Sequence, residues 1–219
     1  KRQAYYLLQK GHACTVFDGH EKPGGMLRYA VSNERLPAEV LDKEIALILK
    51  LGAKFQGGTR IGTDVSVEDL AKDFDAVFVA AGPIQSDDPA WSPLERGPNG
   101  IVINRSTYET NLKGVFAGGD CVGERKLAVR TVAHGKEAAV SIGRYLSGEP
   151  VTGPAKVFNS RIGKLKDGEI DNFMIGVSES PRVAVLQEGE GLTDEQARAE
   201  ANRCLHCDCR KPDDCKLRR

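Results

Sequence analysis

Ala4-Tyr5-Tyr6-Leu7-Leu8-Gln9-Lys10-Gly11-His12-Ala13-Cys14-Thr15-Val16-Phe17-Asp18 is the stretch on which the fold turns. Ala4 to Lys10 carries a helical pattern, and Gly11-His12 stops it in the manner of a glycine C-cap. Cys14 to Phe17 reads as a short buried strand that ends at Asp18. Helix, glycine turn, buried strand and acidic residue make the second half of a βαβ unit of the kind that holds a dinucleotide. No strand and no G-x-G-x-x-G stand before the helix. A helix without its preceding strand leaves an unpaired slot in a sheet, so the expectation is a portion of a longer protein.

Outward from there, a loop rich in glycine and proline runs through Gly24-Gly25, and Pro37 opens a helix in which Leu41, Ile45, Ile48 and Leu49 recur at helical spacing until Gly52. Ser66 is a good N-cap for a short helix over 67–72. Ala76-Val77-Phe78-Val79-Ala80 is a buried strand that runs into Ala81-Gly82-Pro83. Residues 84–99 are polar and proline-containing and read as a loop or linker. Strands are expected at 100–104 and 114–117, and a long helix from about Lys126 to Leu146, ended by Gly148 and Pro150. The expected architecture is α/β: a domain over 1–150 in two halves, 1–83 and 100–150, then a small connecting region, 151–192, and a last segment, 193–219. In the connecting region Phe158, Ile162, Leu165, Ile170, Phe173 and Met174 suggest a satellite of helix and turn. In the last segment Thr193 caps a helix with Gln196 placed as in a capping box.

Composition excludes several classes of function. Of 219 residues, 40% are hydrophobic, enough for a real core, and 31 Lys plus Arg balance 31 Asp plus Glu. A nucleic-acid binder would show a basic excess. No apolar run approaches the roughly 20 residues of a membrane span, and none opens the chain as a leader would. The expectation is a cytoplasmic protein with no membrane insertion.

The chain has 6 cysteines. Cys14 and Cys121 stand alone; Cys14 reads as a small buried hydrophobe, and Cys121 lacks a C-x-x-C partner for redox work. Cys204, Cys207, Cys209 and Cys215 crowd together as C-x2-C-x-C-x5-C. Such a cluster reads as metal-binding rather than as a disulfide framework. Four thiolates in one loop can hold an iron–sulfur cluster. Zinc also accepts four cysteines, but usually as two separated knuckles, and no second knuckle is present. The single loop favours iron–sulfur; a zinc site and a metal-free tail stay open. Arg210, Lys211 and Lys216 would offset the cluster's negative charge, and His206 reads as a neighbour rather than a ligand.

Further motifs carry a resemblance. Val16-Phe17-Asp18, Pro23-Gly24-Gly25-Met26-Leu27-Arg28-Tyr29 and Arg35-Leu36-Pro37 together resemble the flavin-binding signature of the glutamate synthase small-subunit family, NADPH-dependent flavoproteins with iron–sulfur clusters. Phe74 to Gly82 is similar to that family's strand and alanine–glycine turn. Gly114-Val115-Phe116-Ala117-Gly118-Gly119-Asp120 is similar to its second flavin motif, followed by Gly135-Lys136-Glu137-Ala138-Ala139. The likeness covers about residues 4–82 and 100–148.

The resemblance implies an FAD/NAD(P)-binding, Rossmann-like three-layer domain with FAD as cofactor. It places Asp18 at the adenosine ribose, Gly24 and Gly25 where backbone passes close to the cofactor, Leu27 beside the flavin, Arg35 at the pyrophosphate and Asp120 at the ribityl chain. Ala81, Gly82, Gly119 and Thr131 complete the implied contacts. The helix after Asp120 would point its N-terminus at the flavin's pyrimidine edge. A [4Fe–4S] cluster would then pass electrons taken from NAD(P)H to an electron-acceptor protein or a larger oxidoreductase subunit. No catalytic side chain is implied. Two departures stand out. The phosphate-binding glycine loop is absent, and residues 83–99 are too few for the family's inserted nicotinamide-nucleotide domain, which needs two or more βα units. A docking or electron-transfer subunit with a cluster but weak or no flavin, and a zinc-bound structural module, are the alternatives.

Overall fold

The computed structural model describes residues 2–85, 87–123, 127–154, 167–175, 177, 180–184 and 191–204. The chain divides into two compact units, Lys1–Ala155 and Lys156–Arg219.

The first unit opens with α1 (Arg2–Gln9), β1 (Thr15–Phe17), α2 (Met26–Tyr29), α3 (Ala38–Lys50) and β2 (Lys54–Gln56). β1 and β2 pair in parallel, Val16 opposite Phe55, so β1–α3–β2 is a crossover unit. Pro37 sits just before α3, where its missing N–H costs nothing, and the Asn33 side chain accepts the Ala38 N–H at 2.8 Å. Leu41 and Ile45 are the buried residues of α3, four apart on one face. α4 (Val67–Asp73) follows; Ser66 Oγ accepts the Asp69 N–H at 3.0 Å, the expected N-cap.

The centre of the unit is a second parallel pair, β3 (Val77–Val79) with β6 (Val115–Ala117), in which Phe78 lies opposite Phe116. β6 is buried on both faces, and its alternating side chains feed two cores. Val115 and Ala117 join Val67, Val79, Trp91, Leu94 and Ile101. Phe116 joins Leu7 of α1, Tyr108, and Ala138, Ala139 and Ile142 of α5 (Ala128–Leu146). The β3–β6 pair therefore has α1 and α5 on one face and the segment around Trp91 on the other.

That segment shows why residues 84–99 are more than a connection. A 3-10 turn at Pro89–Trp91, started by the Asp88 carboxylate accepting the Ala90 N–H at 2.9 Å, leads into β4 (Arg96–Gly97) and β5 (Gly100–Ile101), which pair antiparallel. Trp91 and Leu94 are buried. Tight polar turns dominate the stretch, and its few large apolar residues seal one face of the sheet pair.

Most expected elements are present with ends shifted by a residue or two; the strand expected at 100–104 is only Gly100–Ile101. The second unit contains α6 (Glu169–Met174) and α7 (Asp194–Ala201). Thr193 and Gln196 form the full capping box: Thr193 Oγ1 accepts the Gln196 N–H at 3.2 Å and Gln196 Oε1 accepts the Thr193 N–H at 2.9 Å. Phe158, Ile162 and Leu165 lie outside the described residues. No helix among the described residues is long and apolar enough to cross a membrane.

Candidate functional site

The carboxyl ends of β3 and β6 lie side by side, and the chain leaves both through glycine. Gly118 N–H donates to Val79 O at 3.0 Å, which draws the start of the Gly118–Gly119 turn onto the end of β3, next to Ala81 and Gly82. A side chain at Gly118 would strike the Phe78 ring, its Cβ falling 2.9 Å from a ring carbon. Gly119 adopts φ 85° and ψ −150°, a region essentially closed to other residues. The turn then enters a short 3-10 helix, Asp120–Val122, and a small cleft opens against the beginning of α5. Gly119, Asp120, Gly123, Leu127, Arg130, Thr131 and His134 line it.

Three of the expected cofactor positions, Gly119, Asp120 and Thr131, thus share one cleft. The Asp120 carboxylate is half-buried and makes no hydrogen bond with the described residues. Leu127 caps α5 with backbone alone, so the first N–H groups of the helix have no side-chain partner among the described residues. Cys121 is held behind the turn: its Sγ donates to Val79 O at 3.4 Å and to Gly118 O at 3.3 Å, and burial pushes the thiol up to about 11. It is a protonated structural thiol that ties the two strand ends together, not a thiolate.

Sequence reasoning passed over His134. It stands three residues after Thr131 on α5, and its Nδ1 accepts the Gly119 N–H at 3.1 Å. The helical spacing from Thr131 was the available signal. Arg130 and Leu127 escaped for the same reason, since their relation to the glycine turn exists only once α5 docks.

A second group of expected positions gathers on the connection from β1 to α3, and none of it lines that cleft. Asp18 closes β1; its N–H donates to Gln56 O and its carbonyl accepts the Thr59 N–H, at 3.1 and 3.0 Å. Its Oδ1 accepts both the His20 N–H and the His20 Nδ1–H, each at 3.0 Å, and Oδ2 has no hydrogen-bond partner among the described residues. The His20 ring stacks on Tyr29 with centroids 4.1 Å apart. Gly24 and Gly25 lead into α2, where Leu27 is exposed, and Arg35 is exposed in the loop before α3. Arg28, not among the expected contacts, is the anchor here: its Nε donates to Pro23 O at 2.7 Å, and its guanidinium pairs with Asp42 of α3. Gly24 is required because a Cβ there would sit 2.5 Å from that of Arg28.

Cys14 is half-buried and its thiol is raised by burial. In the second unit, α7 ends one turn before Cys204, whose N–H donates to Ala201 O at 3.1 Å. Arg203 holds Glu200 through two contacts of 2.9 and 2.8 Å, and the Val183 N–H also reaches that carboxylate and lowers its pKa. Cys204 is exposed and pairs with no other cysteine among the described residues. Cys207, Cys209 and Cys215 lie outside the described residues.

Residues 4–136 match the family model described as pyridine nucleotide-disulphide oxidoreductase. The chain is 40% identical over 99 residues to the NADP(+)-dependent formate dehydrogenase subunit beta of Moorella thermoacetica, a match over 45% of this chain and 14% of that protein. It is 34% identical over 101 residues to the NADPH-Fe(3+) oxidoreductase subunit beta of Geobacter sulfurreducens, over 45% and 15%. It is 37% identical over 91 residues to the glutamate synthase [NADPH] small chain of Mycobacterium tuberculosis, over 42% and 18%. The matches thus span less than a fifth of each of these curated relatives.

Proposed function

This chain belongs to the pyridine nucleotide-disulphide oxidoreductase family and carries its FAD/NAD(P)-binding, Rossmann-like α/β fold, and we propose from that premise that its first unit holds the flavin of an NAD(P)H-dependent oxidoreductase. In the same proposal Cys204, Cys207, Cys209 and Cys215 hold a [4Fe–4S] cluster. Bound FAD would accept a hydride from NAD(P)H, and the cluster would carry electrons singly to a partner subunit. The similarity to beta subunits and small chains supports a partner of that kind.

The observation that carries the flavin reading is the cleft after β6. Gly119 and Gly123 line it with backbone alone, so a ligand can approach the turn closely there. Asp120 offers a carboxylate that no described residue engages in a hydrogen bond, which suits the hydroxyls of a polyol chain. The start of α5, uncapped by a side chain, offers N–H groups and the positive end of a helix dipole to a group that gains negative charge. On the other side, Asp18 Oδ2 is available for ribose hydroxyls, and Gly24, Gly25, Leu27, Arg35, Ala81, Gly82 and Thr131 keep the roles that the resemblance implies. The donor set fits a cluster by its chemistry: four cysteines within a short stretch of sequence, the first of them following a well-capped helix.

Asp120→Ala removes the acceptor and keeps the backbone. FAD affinity, measured by quenching of flavin fluorescence, is expected to fall about tenfold, the cost of charge-assisted hydrogen bonds of this kind. An affinity equal to wild type would remove Asp120 from the site.

A further inference from the structure

We propose that His134 is the positioning residue of the flavin cleft: in its uncharged form it accepts the Gly119 N–H and so holds the Gly118–Gly119–Asp120 turn in the shape that admits the cofactor. The inference rests on the flavin reading above and adds to it a residue and a dependence on pH.

The geometry begins with Gly119. Its backbone lies in the mirror image of the extended region, which is open to glycine, so the backbone alone does not fix the turn in this shape. Its N–H points to His134 Nδ1 at 3.1 Å, and the His134 Cβ lies 3.3 Å from where a Gly118 side chain would begin. The His134 side chain therefore backs both glycines, its Cβ against Gly118 and its ring against Gly119. With Nδ1 accepting, the neutral ring carries its proton on Nε2. Protonation of Nδ1 would set one N–H against another, and the bond that shapes the turn would be lost.

The surroundings keep the ring neutral. Tyr108, from the loop before β6, tilts against it with centroids 5.3 Å apart. Tyr108 itself sits at φ 65°, and its hydroxyl donates to Glu137 Oε2 at 2.5 Å; burial first, and that bond to a carboxylate second, raise the phenol pKa well above its usual range. Among the described residues, the charged groups around the imidazole are Glu137 and Arg130 of α5, Arg105 from the loop before β6, and Asp120. The two carboxylates favour the imidazolium and the two arginines oppose it. Burial is the largest effect and lowers the pKa of His134 below its ordinary value.

The sign follows by linkage. The folded, cofactor-competent form prefers the neutral ring, while the unfolded chain protonates it at its ordinary pKa of about 6.5. Stability is full above that pH and declines as pH falls from it toward the lower folded-state pKa, and flavin affinity declines as pH falls through that folded-state pKa. Once pH is below the folded-state pKa, the competent fraction falls by up to about tenfold per pH unit.

The test is a titration of the full chain with FAD between pH 7.5 and 5, with His134→Asn and His134→Ala alongside, and unfolding followed by circular dichroism at each pH. Asn places Oδ1 where Nδ1 stood and cannot titrate. Wild type is expected to lose affinity as pH falls, His134→Asn to bind within about threefold of wild type at pH 7.5 with no such loss, and His134→Ala to bind about tenfold more weakly at every pH. A wild-type affinity unchanged down to pH 5, or an Asn variant that keeps the wild-type pH slope, would overturn the assignment. If wild type binds no FAD at any pH, the flavin reading itself fails. The Gly119 bond is then judged on unfolding of the apo chain: loss of the acid destabilisation in His134→Asn supports it, and its retention overturns it.

Discussion

Replacing Phe116 with alanine is expected to lower folding stability by about 3–5 kcal/mol, the range for a large aromatic removed from a core that cannot collapse around the gap. Phe116 is 0% exposed and sits in the middle of β6, opposite Phe78 across the parallel pair. Its backbone also bridges to Glu109, and its ring meets Tyr145 of α5 edge-on at 5.8 Å. The ring is the wedge between the sheet and the two helices α1 and α5, so its loss loosens the seat of the helix that forms one wall of the cleft. Urea unfolding would read the change, with Phe116→Leu as the milder companion. A loss below about 1 kcal/mol would show that α5 does not depend on this contact.

Gly119→Ala is expected to weaken FAD binding by about 10–100-fold. The conformation at Gly119 costs a residue with a Cβ roughly 1–3 kcal/mol, and each 1.4 kcal/mol is about tenfold in affinity. The new methyl would also lie 3.2 Å from Thr131 Cγ2, across the opening of the cleft. The turn can escape only by rotating its N–H away from His134. Flavin affinity and the unfolding curve should therefore both change, and an alanine variant that binds FAD as wild type does would mean that the turn plays no part in holding the cofactor.

These two positions also mark what the sequence could and could not disclose. The β6 motif, a strand ending in two glycines and an aspartate, is local: three apolar residues fix the strand, and the glycines fix the turn. It can be read residue by residue, as can the capping box at Thr193 and the helix after Pro37. The partners of that motif are not local. His134 reaches Gly119 across fifteen positions, and Tyr108 reaches Glu137 across twenty-nine. Both pairings exist only because α5 lies against β6. β2 was passed over because Lys54-Phe55-Gln56 offers a single apolar residue; its strand character comes from pairing with β1. Residues 84–99 look like a connection because turn formers dominate their composition, yet Trp91 and Leu94 are buried against the sheet pair. Arg28 looks like a surface cation in sequence, and it clamps the Gly24 loop to α3 because Asp42 happens to lie one turn into that helix. Cys204 is legible in both, as the cysteine that a capped helix presents.

The claim that a flavin and an iron–sulfur cluster reside on this chain is tested most directly by the visible absorbance spectrum of the anaerobically purified protein, recorded before and after dithionite. Two flavin bands that bleach on reduction, above a broad shoulder from the cluster, are the predicted result. A spectrum that is featureless in both states would contradict it and leave an α/β scaffold without the redox centres assigned to it.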